Sequence, residues 1–264
     1  MDILTLMASG AAAGILAGLM GVGGGVIIVP VLFLVLADSA SQTILIKVAV
    51  GTSLATIAVT AVSSTLAHHR RGSVEWGLVR RMAPGVMVGA LLGAAIADQL
   101  PAFWMTVLFI AGMPVIALQM ALGRGRKATR ERPPTRELIG VSSGVGTLSA
   151  LLGIGGGTLN VPYLSGSGVP MKIAIGTATA VGFPLAAAST LGFIFMGLDE
   201  AGLPPHSLGY INLPAVAGIV TAGVLFAPLG AKLAHVLPDR ILRRGFAVFL
   251  LFLALRMAYG LLNS

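Results

Sequence analysis

The sequence predicts an all-α integral membrane protein of two pseudo-symmetric, inverted repeats. It predicts eight to ten transmembrane segments, two of them short and broken by glycine. Three observations carry this. Hydrophobic residues make up 56% of the 264 and charged ones 10%, with a mean hydropathy of +0.96. A soluble domain is roughly a quarter charged, so these charges are too few to coat a water-facing surface. The apolar runs are long enough for a hydrocarbon core of ~30 Å, which takes about 20 helical residues. Finally, the motifs of the first half return, in order, in the second.

The apolar runs cover residues 3–20, 24–37, 43–67, 79–97 and 102–122, then 137–153, 157–166, 171–197, 208–235 and 241–261. The run at 157–166 is too short to span as an ordinary helix. Residues 123–137 are the one long polar stretch, with Arg124, Arg126, Lys127, Arg130, Arg132, Arg136 and the pair Pro133-Pro134. Residues 1–122 therefore read as the first transmembrane repeat, 123–136 as a basic linker and 137–264 as the second repeat. The net charge of +8 is gathered into such gaps, the pattern of positive-inside loops, and no nucleic-acid partner is expected. Absence of cysteine excludes disulfides and thiolate metal sites. Neither a metal nor another cofactor is implied. Met1-Asp2-Ile3-Leu4 has no basic n-region, so the first segment is expected to be retained.

The duplication is explicit. Leu19-Met20-Gly21-Val22-Gly23-Gly24-Gly25 with Val29-Pro30 returns as Leu151-Leu152-Gly153-Ile154-Gly155-Gly156-Gly157 with Val161-Pro162. Lys47 through Gly51-Thr52 returns as Lys172 through Gly176-Thr177, and Gly93-Ala94 with Leu100-Pro101 as Gly230-Ala231 with Leu237-Pro238. Ordered matches of this kind mark an internal duplication. The charges then relate the halves. The loop with Arg70, Arg71, Arg80 and Arg81 matches one with Asp199 and Glu200, and the loop with Asp98 matches one with Arg240, Arg243 and Arg244. Equivalent loops of opposite sign belong on opposite faces. That requires an odd number of crossings per half, most simply five, with a cytoplasmic linker. Should the short glycine-led segments turn back without crossing, the count falls to eight and the repeats become parallel.

The glycine clusters, Gly21, Gly23, Gly24, Gly25 and Gly153, Gly155, Gly156, Gly157, interrupt hydrophobic stretches. Such runs are poor helix formers, and unwound backbone at membrane depth is tolerated only where it lines a cavity or is buried in protein. A break frees amide N–H groups, and the helix that resumes points its positive end at the gap, an anion site without a charged side chain. Paired breaks in two halves are the sequence sign of a transporter site. The plainer alternative is that the glycines serve close helix crossing.

The doubled Gly-x-Gly-Gly-Gly…Pro signature, the Gly-Thr helix after it and the duplicated layout resemble the sulfite exporter TauE/SafE family, also called the 4-toluene sulfonate uptake permeases. The resemblance covers nearly the whole chain. It implies transport of sulfite, sulfonates or related organic anions.

The third run of each half adds hydroxyls. Thr52, Thr56, Thr60 and Ser64 fall on one helix face, where back-bonding to the i−4 carbonyl is the ordinary fate. Thr52, Ser53 and Thr177 lie nearest the repeated motif and are candidates for substrate contact. Asn160, whose repeat partner is Ile28, either contacts substrate or ties off freed backbone. Lys47 and Lys172, at matching positions, either attract anions at each mouth or snorkel to the headgroups. His68 and His69 read as interfacial.

The acidic residues Asp38, Glu75, Asp98, Asp199 and Glu200 fall near segment ends, so no midplane carboxylate suggests proton or sodium coupling. The expected function is secondary transport of small sulfur-containing anions, in the export direction, across an inner (plasma) membrane. The alternatives are a proton-coupled importer and a non-transporting assembly partner. An intramembrane enzyme is excluded by the lack of a His/Glu metal pattern, a Gly-x-Ser-x-Gly elbow or paired intramembrane carboxylates. The expected partners are a small anion and the lipid bilayer, with room for a homo-oligomer.

Overall fold

The computed structural model describes residues 11, 25–37, 41, 43–122, 133–236, 248, 251–252 and 254–259. Within them the expected apolar runs are helices: α1 (Gly25–Val35), α2 (Leu45–Arg70), α3 (Trp76–Gln99), α4 (Ala102–Leu122), α5 (Thr135–Leu152), α6 (Gly157–Gly166), α7 (Met171–Met196) and α8 (Leu213–Val236). The protein is an all-helical membrane protein. Its one sheet among the described residues is a hairpin of β1 (Ser207–Leu208) and β2 (Ile211–Asn212), where the sequence suggested the run at 208–235 already to be helical. The hairpin is closed by Gly209 at φ +55°, and a Cβ there would also collide with the backbone of Ile194. Gly21, Gly23, Gly24 and most of the linker lie outside the described residues.

Matched elements have matched extents where both ends are described: 26 residues in both α2 and α7. Of the matched glycines, Gly157 opens α6 and Gly25 lies in α1, and both helices carry equivalent prolines, Pro30 and Pro162. With 10 residues α6 is about 15 Å long, half the hydrocarbon thickness.

Among the described residues, three helices are each long and apolar enough to cross a membrane: α2, α3 and α7. Of these, α7 packs against both α2 and α3. The first half of α2 is buried on all sides, from Leu45 through Ile57. Farther along, Val59, Val62 and Leu66 emerge on the outer surface together with Val88, Leu91 and Leu92 of α3 and Phe195 of α7; these are the lipid-facing side chains of a membrane protein. Trp76 opens α3 and Trp104 lies in the first turn of α4, at opposite ends of α3, where interfacial tryptophans belong.

The directions of packing can be read from close contacts. Gly51 of α2 meets Phe193 of α7, and Thr65 of α2 donates to the carbonyl of Thr179. The matched helices α2 and α7 therefore run antiparallel. Parallel to each other run α3 and α5, with Gly85 against Ile139, Gly89 against Ser143 and Gly93 against Thr147. A glycine every fourth residue lets the two backbones touch, and Thr147 hydrogen-bonds across to the carbonyl of Gly89 at 3.0 Å. Close helix crossing, one alternative for the glycine clusters, is the work of this stripe on α3 and of Gly25 as well, where a Cβ would stand 2.6 Å from the Gly153 carbonyl.

A Cβ at Gly89 would run into the Ser143 carbonyl, while one at exposed Gly140 would meet nothing within 4 Å. Gly89→Val is expected to lower the melting temperature in detergent by about 5 °C or more through overpacking, and Gly140→Val to change it far less. Thermal unfolding of the two purified variants beside the parent checks this.

Candidate functional site

The glycine break of the second half is built as follows. Gly153 adopts the left-handed conformation, φ +63°, at the end of α5. The N–H of Ile154 donates to Ser149 O at 3.0 Å and that of Gly153 to Ala150 O. This is a Schellman ending, which needs a glycine at its left-handed position. The chain then passes through Gly155 and Gly156 and resumes as α6 at Gly157. The N–H groups of Gly155, Gly156 and Gly157 have no partner among the described residues, as expected of the first turn of a helix. They sit at its positive end.

The two clusters meet. A Cβ at Gly25 would stand 2.6 Å from the Gly153 carbonyl and 3.1 Å from Ile154 Cα, and one at Gly153 would stand 2.6 Å from Val29. The helix α2 fastens this junction: Ser53 Oγ donates to the Gly153 carbonyl at 2.9 Å.

Polar groups around the break are buried and unpaired. Asn160, in the first turn of α6, is 0% exposed, and neither Nδ2 nor Oδ1 has a partner among the described residues. Its backbone N–H continues the helix to Gly156 O. Of the two roles open to it in the sequence, tying off freed backbone is therefore not what this side chain does here. Ser149 Oγ and Thr158 Oγ1, on either side of the break, and Ser189 Oγ on α7 are buried and unpaired likewise. The amide of Asn160 lies over Gly156, whose Cβ would be 3.0 Å from Nδ2 and 3.3 Å from Gly182 Cα. At Gly182, itself buried, a Cβ would meet only the Gly156 nitrogen, at 3.8 Å. The break thus packs closely against α7 at Gly182.

Thr52 and Thr177 have other partners. Thr52 Oγ1 accepts the N–H of Asn212 at 2.9 Å, and Thr177 Oγ1 accepts that of Glu75 at 3.0 Å. Asn212 and Glu75 stand just before α8 and α3, at equivalent places in opposite halves. Beside each threonine the preceding glycine admits the other half's backbone, Gly51 the carbonyl of Tyr210 and Gly176 that of Ser73. The repeated Gly-Thr motif is a reciprocal clasp between the halves. Farther along α2, Thr56 and Thr60 back-bond to the carbonyls of Thr52 and Thr56.

The two matched lysines differ. Lys172 is exposed, whereas Lys47 is buried, donates to the backbone carbonyl of Asp98 and lies 5.5 Å from the Tyr210 ring centre. The Tyr210 hydroxyl contacts Asp98 Oδ1 at 2.8 Å and Glu200 Oε2 at 3.2 Å. Burial, and then the two carboxylates, push this phenol above its ordinary pKa, so it stays a hydrogen donor. The cluster joins the start of α2, the end of α3 and the hairpin. His69 accepts from Trp76 Nε1 at 3.1 Å in an exposed, edge-on pair.

Sequence reasoning missed Ser149, Thr158, Gly182 and the Asp98–Tyr210–Glu200 group. Thr158 follows the glycine motif directly and was within reach of it. Asp98 and Tyr210 are 112 positions apart and in no shared motif.

Removing one clasp hydroxyl leaves a backbone N–H unpaired, at a cost of about 1–3 kcal/mol. Thr52→Val and Thr177→Val are each expected to lower the melting temperature by roughly 3–8 °C. The clasps share no partner, so the double variant is expected to show the sum, read by calorimetry or fluorescence melting.

Comparison with known proteins agrees with this architecture. Residues 6–257 match the family Sulfite exporter TauE/SafE. The chain is 36% identical over 258 residues to a probable membrane transporter protein of Haemophilus influenzae, covering 97% of each. It is 26% identical to the probable membrane transporter protein YunE of Bacillus subtilis, covering 98% of each. Against the probable membrane transporter protein MJ0441 of Methanocaldococcus jannaschii the identity is 28%, over 87% of this chain and 85% of that one. No solved structure matches. With broken helix, clasped halves and a family match over nearly its whole length, the chain belongs to the sulfite exporter TauE/SafE family of membrane transporters.

Proposed function

We propose that the protein is a secondary transporter that exports small sulfur-containing anions, sulfite or a sulfonate, across the inner membrane in which it is a multi-pass protein. The observation that carries this is the glycine break: three unpaired N–H groups at the positive end of α6, beside the unpaired buried amide of Asn160 and with no charged side chain among them. Neutral donors on a rigid break suit a singly charged oxyanion. An anion leaving a cell with a negative interior is driven outward by roughly 2.3 kcal/mol per charge per 100 mV, so export needs no coupling ion. The inverted relation of the halves is supported by the antiparallel course of α2 and α7 and by the reciprocity of the clasps. The arginine-rich linker supports a cytoplasmic place for residues 123–136.

One observation favours a second reading, a proton-coupled importer. Tyr210 has one phenolic proton and two carboxylates within reach, which leaves a place for one further proton between Tyr210 and Glu200.

Purified protein in liposomes, loaded with labelled sulfite or sulfonate, separates the readings. Export predicts saturable flux that follows an imposed potential, reduced more than tenfold in Gly156→Leu, whose side chain would push on Asn160 and Gly182. Flux that instead follows a pH gradient at zero potential, and loses that dependence in Glu200→Gln, establishes the importer. Undiminished flux in Gly156→Leu removes the break from the transport path.

A further inference from the structure

Asn160 brings two kinds of hydrogen-bonding group to the break. Its NH2 has two donors and its carbonyl oxygen accepts. The side chain is wholly buried and both atoms are unpaired among the described residues. Leaving such a group unpaired costs about 1–3 kcal/mol, so this position is incomplete until something binds there.

The free N–H groups of Gly155, Gly156 and Gly157 require acceptors, and any oxyanion supplies those. Asn160 Oδ1 makes the opposite demand. An anion with acceptor oxygens alone would set oxygen against oxygen there. No hydroxyl of the chain within the described residues reaches Oδ1; Ser149 and Thr158 stay unpaired beside it in sequence. Nor does the first half supply a second amide at the equivalent position, where Ile28 is buried in the apolar core. The NH2 end of the amide is packed beside Gly156, where a Cβ would stand 3.0 Å from Nδ2 and 3.3 Å from Gly182 Cα.

We propose that Asn160 Oδ1 accepts a hydrogen bond from the transported anion. The site thereby selects anions that bear an O–H or N–H near the charged head over acceptor-only anions of the same size. The inference rests on the anion-transport reading above and makes Asn160 a specificity-determining residue.

The test uses 2-hydroxyethanesulfonate and ethanesulfonate, which differ by one hydroxyl. Wild-type protein in liposomes is expected to move the hydroxylated anion at least about tenfold more efficiently, because a buried acceptor left unpaired penalises the analogue that lacks the donor. In Asn160→Leu that ratio is expected to fall to about one, whatever the variant's absolute rates. Equal efficiencies in the wild type, or a preference that survives in Asn160→Leu, overturns the proposal. Thermal unfolding gives a reading independent of flux. Without ligand, Asn160→Leu removes an unpaired polar group and is expected to melt about 3 °C higher. 2-Hydroxyethanesulfonate is expected to raise the melting temperature of the wild type more than ethanesulfonate does, and to lose that advantage in the variant. A variant less stable than its parent assigns Asn160 a structural bond and also overturns the proposal. Failure of both sulfonates and of sulfite to move at all defeats the transport reading. Flux without discrimination defeats this inference alone.

Discussion

The reciprocal Gly–Thr clasp is the constraint on which the rest of the structure depends. Each threonine accepts a backbone N–H from the residue that opens a long helix of the other half, and each neighbouring glycine lets that backbone come close enough. A buried N–H must be paired, and at a helix start no carbonyl of the same helix is available. The clasp satisfies this need across the two halves and so fixes the register between them. Because α2 and α7 are antiparallel, the clasps lie at opposite ends of the pair, some 15 residues or about 22 Å apart. Two fixed ends also fix the crossing between, and α3 is then held against α7 and, through its glycine stripe, against α5.

Within this symmetric frame the polar chemistry is asymmetric. Ser53 follows Thr52 and pins the Gly153 carbonyl, whereas Thr177 is followed by Ala178. Asn160 matches Ile28, and the buried Lys47 matches the exposed Lys172. The repeated sequence motifs match the shared features of the frame, the Gly-Thr clasps and the Val-Pro helices. They do not account for a buried amide in one half only. That amide is buried without a hydrogen-bond partner among the described residues, which is what supports its proposed role toward a ligand.

Much of this was legible in the sequence, for physical reasons. Helix positions follow from apolar runs because lipid demands them, and the break at Gly153 follows from glycines that no other residue replaces at positive φ. The duplication was visible at Gly51-Thr52 and Gly176-Thr177, but the work of those residues was not. A threonine near a glycine motif reads as a substrate donor until one sees that its partner is a backbone N–H 160 positions away. The stripe Gly85, Gly89 and Gly93 stood at an evident helical spacing, yet spacing does not name the helix it meets. The Asp98–Tyr210–Glu200 group depends wholly on tertiary folding: the carboxylates read correctly as segment ends, and only the hairpin brings the phenol between them.

An uncharged site has a consequence for transport. A fully charged cradle buried in a low-dielectric interior binds an anion strongly but costs several kcal/mol to desolvate when empty. It also holds its ligand too well to release it on the far side. Backbone N–H groups and one amide supply partial charges on a rigid frame, at a much smaller cost when vacant. Passage across a membrane requires binding favourable enough for entry and weak enough for departure. On the transport reading proposed above, the first requirement would fall to the helix end at Gly157 and the second to the lack of Lys and Arg next to it in sequence. Charge is kept instead at the segment ends, where Lys47 is buried at the start of α2 with Asp98 and Tyr210. Affinity and attraction are thereby separated in space, as a carrier that must let go of its ligand requires.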